Sequence, residues 1–314
     1  MITALGNYSE NVLTRLFATS SAEEPSARTA ADSNQSPGIN GLIQDVIEIS
    51  PEAQSLLEAE QAKDTALEER IRYLEQFRPT REGFSARNLA LGIADPSAQP
   101  FSQERPFEEV ATAARENLDA KYAAMKESGE PYNRNGNEGT DNHSLFGDLD
   151  RRALFAVASN EGGQFTEDEQ STARDIMRGQ QGMAMGLYHG PTRLIGQYTE
   201  GLGADQERTS KAGINYLDQV SLEEKATDIE WAHQRAAVQN NYENQVEARG
   251  GIAENTTSGH PLVALIRSAF DWGMVQRGNI EDADDLRRQE WFAPFADRLD
   301  QTIAETRELY GVEV

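Results

Sequence analysis

The sequence predicts an all-α protein, an irregular multi-helix bundle behind a disordered N-terminal tail. Three features carry this expectation. Apolar residues recur at three- and four-residue spacing between Ser50 and Leu309, Ser and Thr caps with Gly and Pro stops punctuate those runs, and no stretch alternates with the period of two that a half-buried strand needs. No internal repeat of fixed period is present, which sets solenoids aside.

From Thr19 to Asn40 the chain is Ser, Ala, Glu, Pro and Asn with almost no large apolar side chains, so burial there cannot offset the entropy of ordering. Residues 1–48 are therefore expected to be a mobile tail carrying a short docking helix near Ser9 to Ala18. Leu42, Ile43, Val46, Ile47 and Ile49 lead into Ser50-Pro51-Glu52, where Ser50 suits an N-cap and Pro51 the first helical position. That helix should run to about Phe77, stopped by Pro79. Its stripe of Leu56, Leu57, Leu67, Ile71 and Leu74 is broken by Glu60, Lys63 and Asp64, so it should lean on the body or on a partner.

Pro79, Pro96, Pro100 and Pro106 mark residues 78–106 as a linker with a short helix near Leu89, giving a helix-plus-linker unit over 49–105 and a helical core domain over 106–314. In the core domain Val110, Ala114, Leu118, Tyr122 and Met125 define a helix over about 107–126, and an Asn/Gly-rich loop follows over 133–142. Further helices are expected over about 145–158, 166–188, 192–198, 222–249, 261–276 and 280–309, the last kinked at Pro294. The helix from Leu222 has the clearest start, with Ser221 as N-cap, Glu224 placed for a capping box and Gly250-Gly251 as its stop.

Composition excludes several function classes. Asp and Glu number 53 against 29 Lys and Arg, a formal charge of −24, which opposes binding to nucleic acid or to anionic membranes and favours cations or basic partners. There are no cysteines, so disulfides, thiolate zinc sites, iron–sulfur clusters and thiol nucleophiles are excluded. No window approaches ~18 uninterrupted apolar residues, so no membrane insertion is expected. Met1 to Leu16 lacks the basic n-region of a Sec signal, which leaves the cytoplasm or export by a signal-less route.

The most specific local pattern lies between Ala153 and Glu169. Leu154 and Val157 end an apolar helix, Asn160 offers an oxygen, Gly163 a sharp turn, Phe165 an inward apolar side chain, and Thr166 and Glu169 further oxygens. This order resembles an EF-hand, the helix–loop–helix calcium module, and the resemblance implies calcium ligands at Asn160, the Gln164 carbonyl, Thr166 and Glu169. Ala158 at the first loop position and Gly162 at the fifth remove two usual oxygen ligands, so the implied affinity is only about 10⁻⁴ to 10⁻³ M. The same residues also suit a metal-free helix–turn–helix in which Thr166 caps the second helix and Glu169 completes a capping box.

His143, His189, His233 and His260 are scattered without zinc spacing and read as surface or loop residues. No P-loop, dinucleotide loop, nucleophile elbow or kinase signature is present, so no catalytic residue is assigned. Met177, Met183 and Met185 around Gly182 and Gly186 suit close helix packing or an adaptable Met-rich groove. Trp272, Trp291 and Phe292, with Phe270 and Phe295, cluster near the C-terminus as a hairpin core whose exposed remnant would bind a protein partner.

The expected function is therefore non-enzymatic and exercised through protein–protein contacts, structural or regulatory. A calcium-responsive protein and an enzyme of unrecognised type are the alternatives. The phrase Ile49-Ser-Pro-Glu-Ala53 resembles wording in bacterial flagellum-associated and secreted proteins, including the anti-sigma regulator of flagellin expression, and implies a bacterial surface or flagellar setting.

Overall fold

A computed structural model describes residues 50–199, 205–272 and 280–312. The tail expected over 1–48 lies outside them, as do residues 273–276 of the helix expected from Pro261. The described residues are helical and contain no strand. From Ser50 onward the chain forms one compact unit.

The long first helix, α1 (Pro51–Phe77), is followed by α2 (Arg87–Ala94), α3 (Phe107–Glu127) and the short α4 (Thr140–Phe146). Next come α5 (Arg151–Ala158) and α6 (Glu167–Ala184). Leu67, Leu74, Leu89, Val110, Leu118, Phe146, Leu154 and Ile176 of these six helices meet in a first apolar core. The later elements are α7 (Gln206–Leu217), α8 (Leu222–Thr227), α9 (Ile229–Ala248), α10 (Pro261–Trp272), α11 (Ala283–Arg287) and α12 (Leu299–Leu309). A second core gathers Ile214, Leu217, Trp231, Ile266, Leu286, Phe292 and Leu299, and Ala184 packs against both cores.

Residues 78–106 are not a free linker. Leu89, Ala90 and Ile93 are buried in the first core, and Asp150 fixes the far end of the segment by accepting from Phe101 N, Ser102 N and Ser102 Oγ at 2.8–3.0 Å. The same carboxylate caps α5 through Ala153 N, which is why the helix expected over 145–158 breaks after Phe146. At Gly147, inside that break, a side chain would collide with the Ser85 carbonyl.

The helix expected over 222–249 also divides. Ser221 caps α8 by accepting from Glu224 N, but the Glu224 carboxylate turns away to Arg151 and no reciprocal box forms. Asp228 then adopts extended backbone and caps α9 through Glu230 N. The run expected over 280–309 is broken into α11, a 3₁₀ turn over Ala293–Arg298 that contains Pro294, and α12.

The first half of α1 lies off the body. Residues 54–65 are exposed, and burial of the helix begins at Leu67. Among the described residues no helix is long and apolar enough to cross a membrane.

Candidate functional site

The loop between α5 and α6 is built by its own backbone. Asn160 takes left-handed backbone at φ 56° and its Oδ1 accepts from Phe165 N at 2.9 Å, while Gly162 and Gly163, both at positive φ, carry the chain round. Phe165 is buried in the first core, with the Arg115 guanidinium over its ring. Thr166 caps α6 and Glu169 completes the capping box.

Every Glu169 oxygen is engaged. Arg115 Nη1 donates to both at 2.9–3.0 Å, Tyr122 OH donates to Oε1 at 3.1 Å, and Thr166 N donates to Oε2 at 2.9 Å. The carboxylate is 5% exposed and its charge is met by Arg115. Burial and the Glu169 charge push the Tyr122 phenol upward, so it stays a protonated donor. A cation would have to displace the half-buried Arg115 guanidinium to reach Glu169, and Asn160 Oδ1 is committed to the turn. Among the described residues no three His, Asp or Glu side chains converge as a metal-holding group.

The C-terminal aromatics Phe270, Trp291, Phe292 and Phe295 meet at the second core, with successive ring centroids 5.0, 5.7 and 6.3 Å apart. Phe292 is fully buried in the second core and has no surface to offer a partner in this conformation. Trp291 is half-buried, with ring centroids 5.0 Å from Phe270 and 6.2 Å from His233. The Trp272 side chain lies outside the description. Trp291 Nε1 and His233 Nε2 are buried without a hydrogen-bond partner, and burial holds the His233 imidazole down at about 4.

Of the histidines, read as surface or loop residues, His189 and His260 lie in loops; His143 and His260 are buried, and His189 and His233 are half-buried. His143 is buried, its Nδ1–H donates to Gly139 O at 2.9 Å, and burial lowers it to about 4. His260 is buried between Trp231 and Tyr310, donating from Nε2 to Lys225 O and accepting Val263 N at Nδ1. Met177 and Met183 are core residues and Met185 packs against Gly213, so among the described residues these three line no open groove.

An open groove of about 370 Å³ lies between Phe77, Pro79, Glu138 and Leu194; among the described residues its ionisable lining is Arg193 and Glu138, which pair with one another.

The densest polar constellation was not read from the sequence. Arg151, on α5, donates from Nη2 and Nε to both oxygens of Glu224 on α8 at 2.6 and 3.1 Å. Its Nη1 reaches Met177 O at 2.7 Å, Gln180 Oε1 at 3.3 Å and Tyr216 OH at 3.2 Å. Tyr216 OH in turn donates to Gly92 O, and Gln180 Nε2 donates to Leu89 O, which ties α2 into the same network. Alongside, Arg152 meets Glu223 at 2.6 Å, and Arg178 of α6 meets Glu230 at 2.6 Å and Glu281 at 2.8 Å. Guanidiniums of the first core thus clasp carboxylates of the second. Arg151, Arg174, Glu224, Asp228 and Trp231 share a cavity of about 20 Å³ there, room for one water.

One readable signal existed. Arg151 and Arg152 open α5, where the helix dipole disfavours cations, and a local conflict of that kind implies a tertiary partner.

The fold and these sites define an all-α protein of two helical cores joined by ion pairs. Comparison of the chain with family models, curated proteins and solved structures gave no match.

Proposed function

We propose that the chain is a non-enzymatic helical protein that acts by holding another protein against the free half of α1. The observation carrying this is an apolar stripe that runs past the end of its own core. Leu56, 73% exposed, and Leu57, 46% exposed, precede Leu67 and Leu74 on one side of α1, yet only the latter two are buried. Its free half, residues 51–66, is near the length at which an unsupported helix is marginal in water, so a covering partner would stabilise it as well as be bound.

Charge selects the partner. Glu58, Glu60 and Asp64 stand around the two leucines, and Lys63, the one cation among residues 54–65, reaches back to Asp95 at 3.3 Å. A fitting occupant is an amphipathic helix with Leu-like side chains on one face and Lys or Arg at its flanks. The non-enzymatic reading is supported by the commitment of the best-enclosed carboxylates, Glu169 and Glu224, to Arg115 and Arg151.

The test is fluorescence anisotropy of a labelled, helix-forming Leu/Lys heptad peptide with the full chain and with Leu56→Ser/Leu57→Ser. Two leucines at about 1.5–3 kcal/mol each predict at least a tenfold loss of affinity in the double variant. Equal affinity for both proteins would reduce the binding to the general acidic field and overturn the reading.

A further inference from the structure

We infer that Glu60 and Asp64 set the specificity of the free half of α1, selecting a partner helix that carries two cations inside its apolar face rather than only beside it. The inference rests on the docking reading above and adds to it where the partner's charges must stand. The acidic residues of this half are not equivalent. At about 100° per residue, Leu56, Glu60 and Leu67 fall within about 40° of one another around α1, and Asp64 lies between the directions of Leu67 and Leu57. Glu58 falls on the opposite side.

Both carboxylates are exposed, and neither takes a hydrogen bond or an ion pair among the described residues. The neighbouring Lys63 does not meet them, because its ammonium goes to Asp95 at 3.3 Å. The polar interruption of the stripe is therefore not answered within the fold. From Leu56 to Asp64 the stripe runs about 12 Å along the helix, apolar at its far end and acidic where it approaches the body.

An unbroken apolar helix laid on this stripe would take water from two carboxylates and return nothing to them, a penalty set against the gain at the two leucines. A second copy of α1 in parallel register would set Glu60 against Glu60 and Asp64 against Asp64, so the stripe also opposes self-pairing. A helix with two leucine-like side chains and, one turn along the same face, two arginines at four-residue spacing meets both requirements. Guanidiniums pair bidentately with carboxylates and keep their charge when desolvated. Charged positions within an otherwise apolar face also fix the register in which two helices meet.

Fluorescence anisotropy with the full chain tests this, using two labelled helix-forming peptides of identical composition and net charge. In the first, two arginines stand on the leucine face one turn from the leucines. In the second, they have changed places with two alanines of the opposite face. The wild type should bind the first at least about tenfold more tightly. Glu60→Ala/Asp64→Ala, which keeps good helix formers at both positions, should bind the two alike. Leu56→Ser/Leu57→Ser separates this inference from the docking reading. If that variant weakens both peptides while the wild type holds them equally, the docking surface stands and the selection by Glu60 and Asp64 is overturned. A preference that persists in Glu60→Ala/Asp64→Ala overturns it as well, since the discrimination then arises elsewhere on the acidic surface. Binding of neither peptide by the wild type overturns the docking reading and this inference with it.

Discussion

Replacing Arg151 by Met should be among the most damaging single changes in the protein. The guanidinium is 3% exposed and makes two bonds to Glu224, itself 1% exposed, with Glu224 lying 73 residues further along the chain. Removing it leaves a buried carboxylate uncompensated, which costs about 3–5 kcal/mol, and strips a charged donor from the Met177 carbonyl, which costs about 1–3 kcal/mol more. Met fills much of the same volume, so cavity formation adds little. The expected loss is about 4 kcal/mol or more, a large part of the ~5–15 kcal/mol a domain usually has. Removing both partners is a different perturbation, because no charge is then left behind. Arg151→Met/Glu224→Leu should recover at least half of the loss, a coupling of about 2 kcal/mol or more in a double-mutant cycle. Urea unfolding followed by tryptophan fluorescence reads the second core through Trp231, which is buried there and donates to Leu217 O. If Arg151→Met costs less than about 1 kcal/mol, or the double variant is no better than the single, the pair does not hold the cores together and the description of the seam fails.

Two further outcomes are expected. Calorimetry of the wild type should show no calcium binding tighter than about 10⁻⁴ M, whereas Arg115→Gln, which releases Glu169, should bind calcium more tightly than the wild type; equal or tight binding in both would show that Arg115 does not control the loop. Gly147→Ala should lower stability by about 1–3 kcal/mol through overlap of its methyl with the Ser85 and His143 carbonyls, and a thermal midpoint within a degree of the wild type would refute that close approach.

What could be read in the sequence was local. The stripe Val110, Ala114, Leu118 and Met125 is buried along α3 as its spacing required, and the Thr166–Glu169 box caps α6. Boundaries chosen by distant partners were not readable. Asp150 stands before Arg151 and Arg152, and Asp228 between Thr227 and Ile229, and nothing in the neighbouring residues says that one will gather Phe101 N and Ser102 while the other ends α8. α7 went unseen because Gly201 and Gly203 precede it and only Ile214, Tyr216 and Leu217 mark its buried side. Glu169 shows how one residue satisfies two patterns. Its spacing from Thr166 suits both a calcium loop and a capping box, and the deciding cation, Arg115, lies 54 residues away.

A seam of ion pairs has a consequence that an apolar junction would not. Apolar contact is non-directional and tolerates sliding, whereas a bidentate Arg151–Glu224 pair fixes the register of the two cores and makes it sensitive to charge. The α2 helix is where this bears on the rest of the molecule. It packs along α1, anchors Lys63 through the adjacent Asp95, and gives its Leu89 and Gly92 carbonyls to Gln180 of the first core and Tyr216 of the second. The support of the free half of α1 therefore rests on both cores, and the Tyr216 hydroxyl is the point where the second core reaches it.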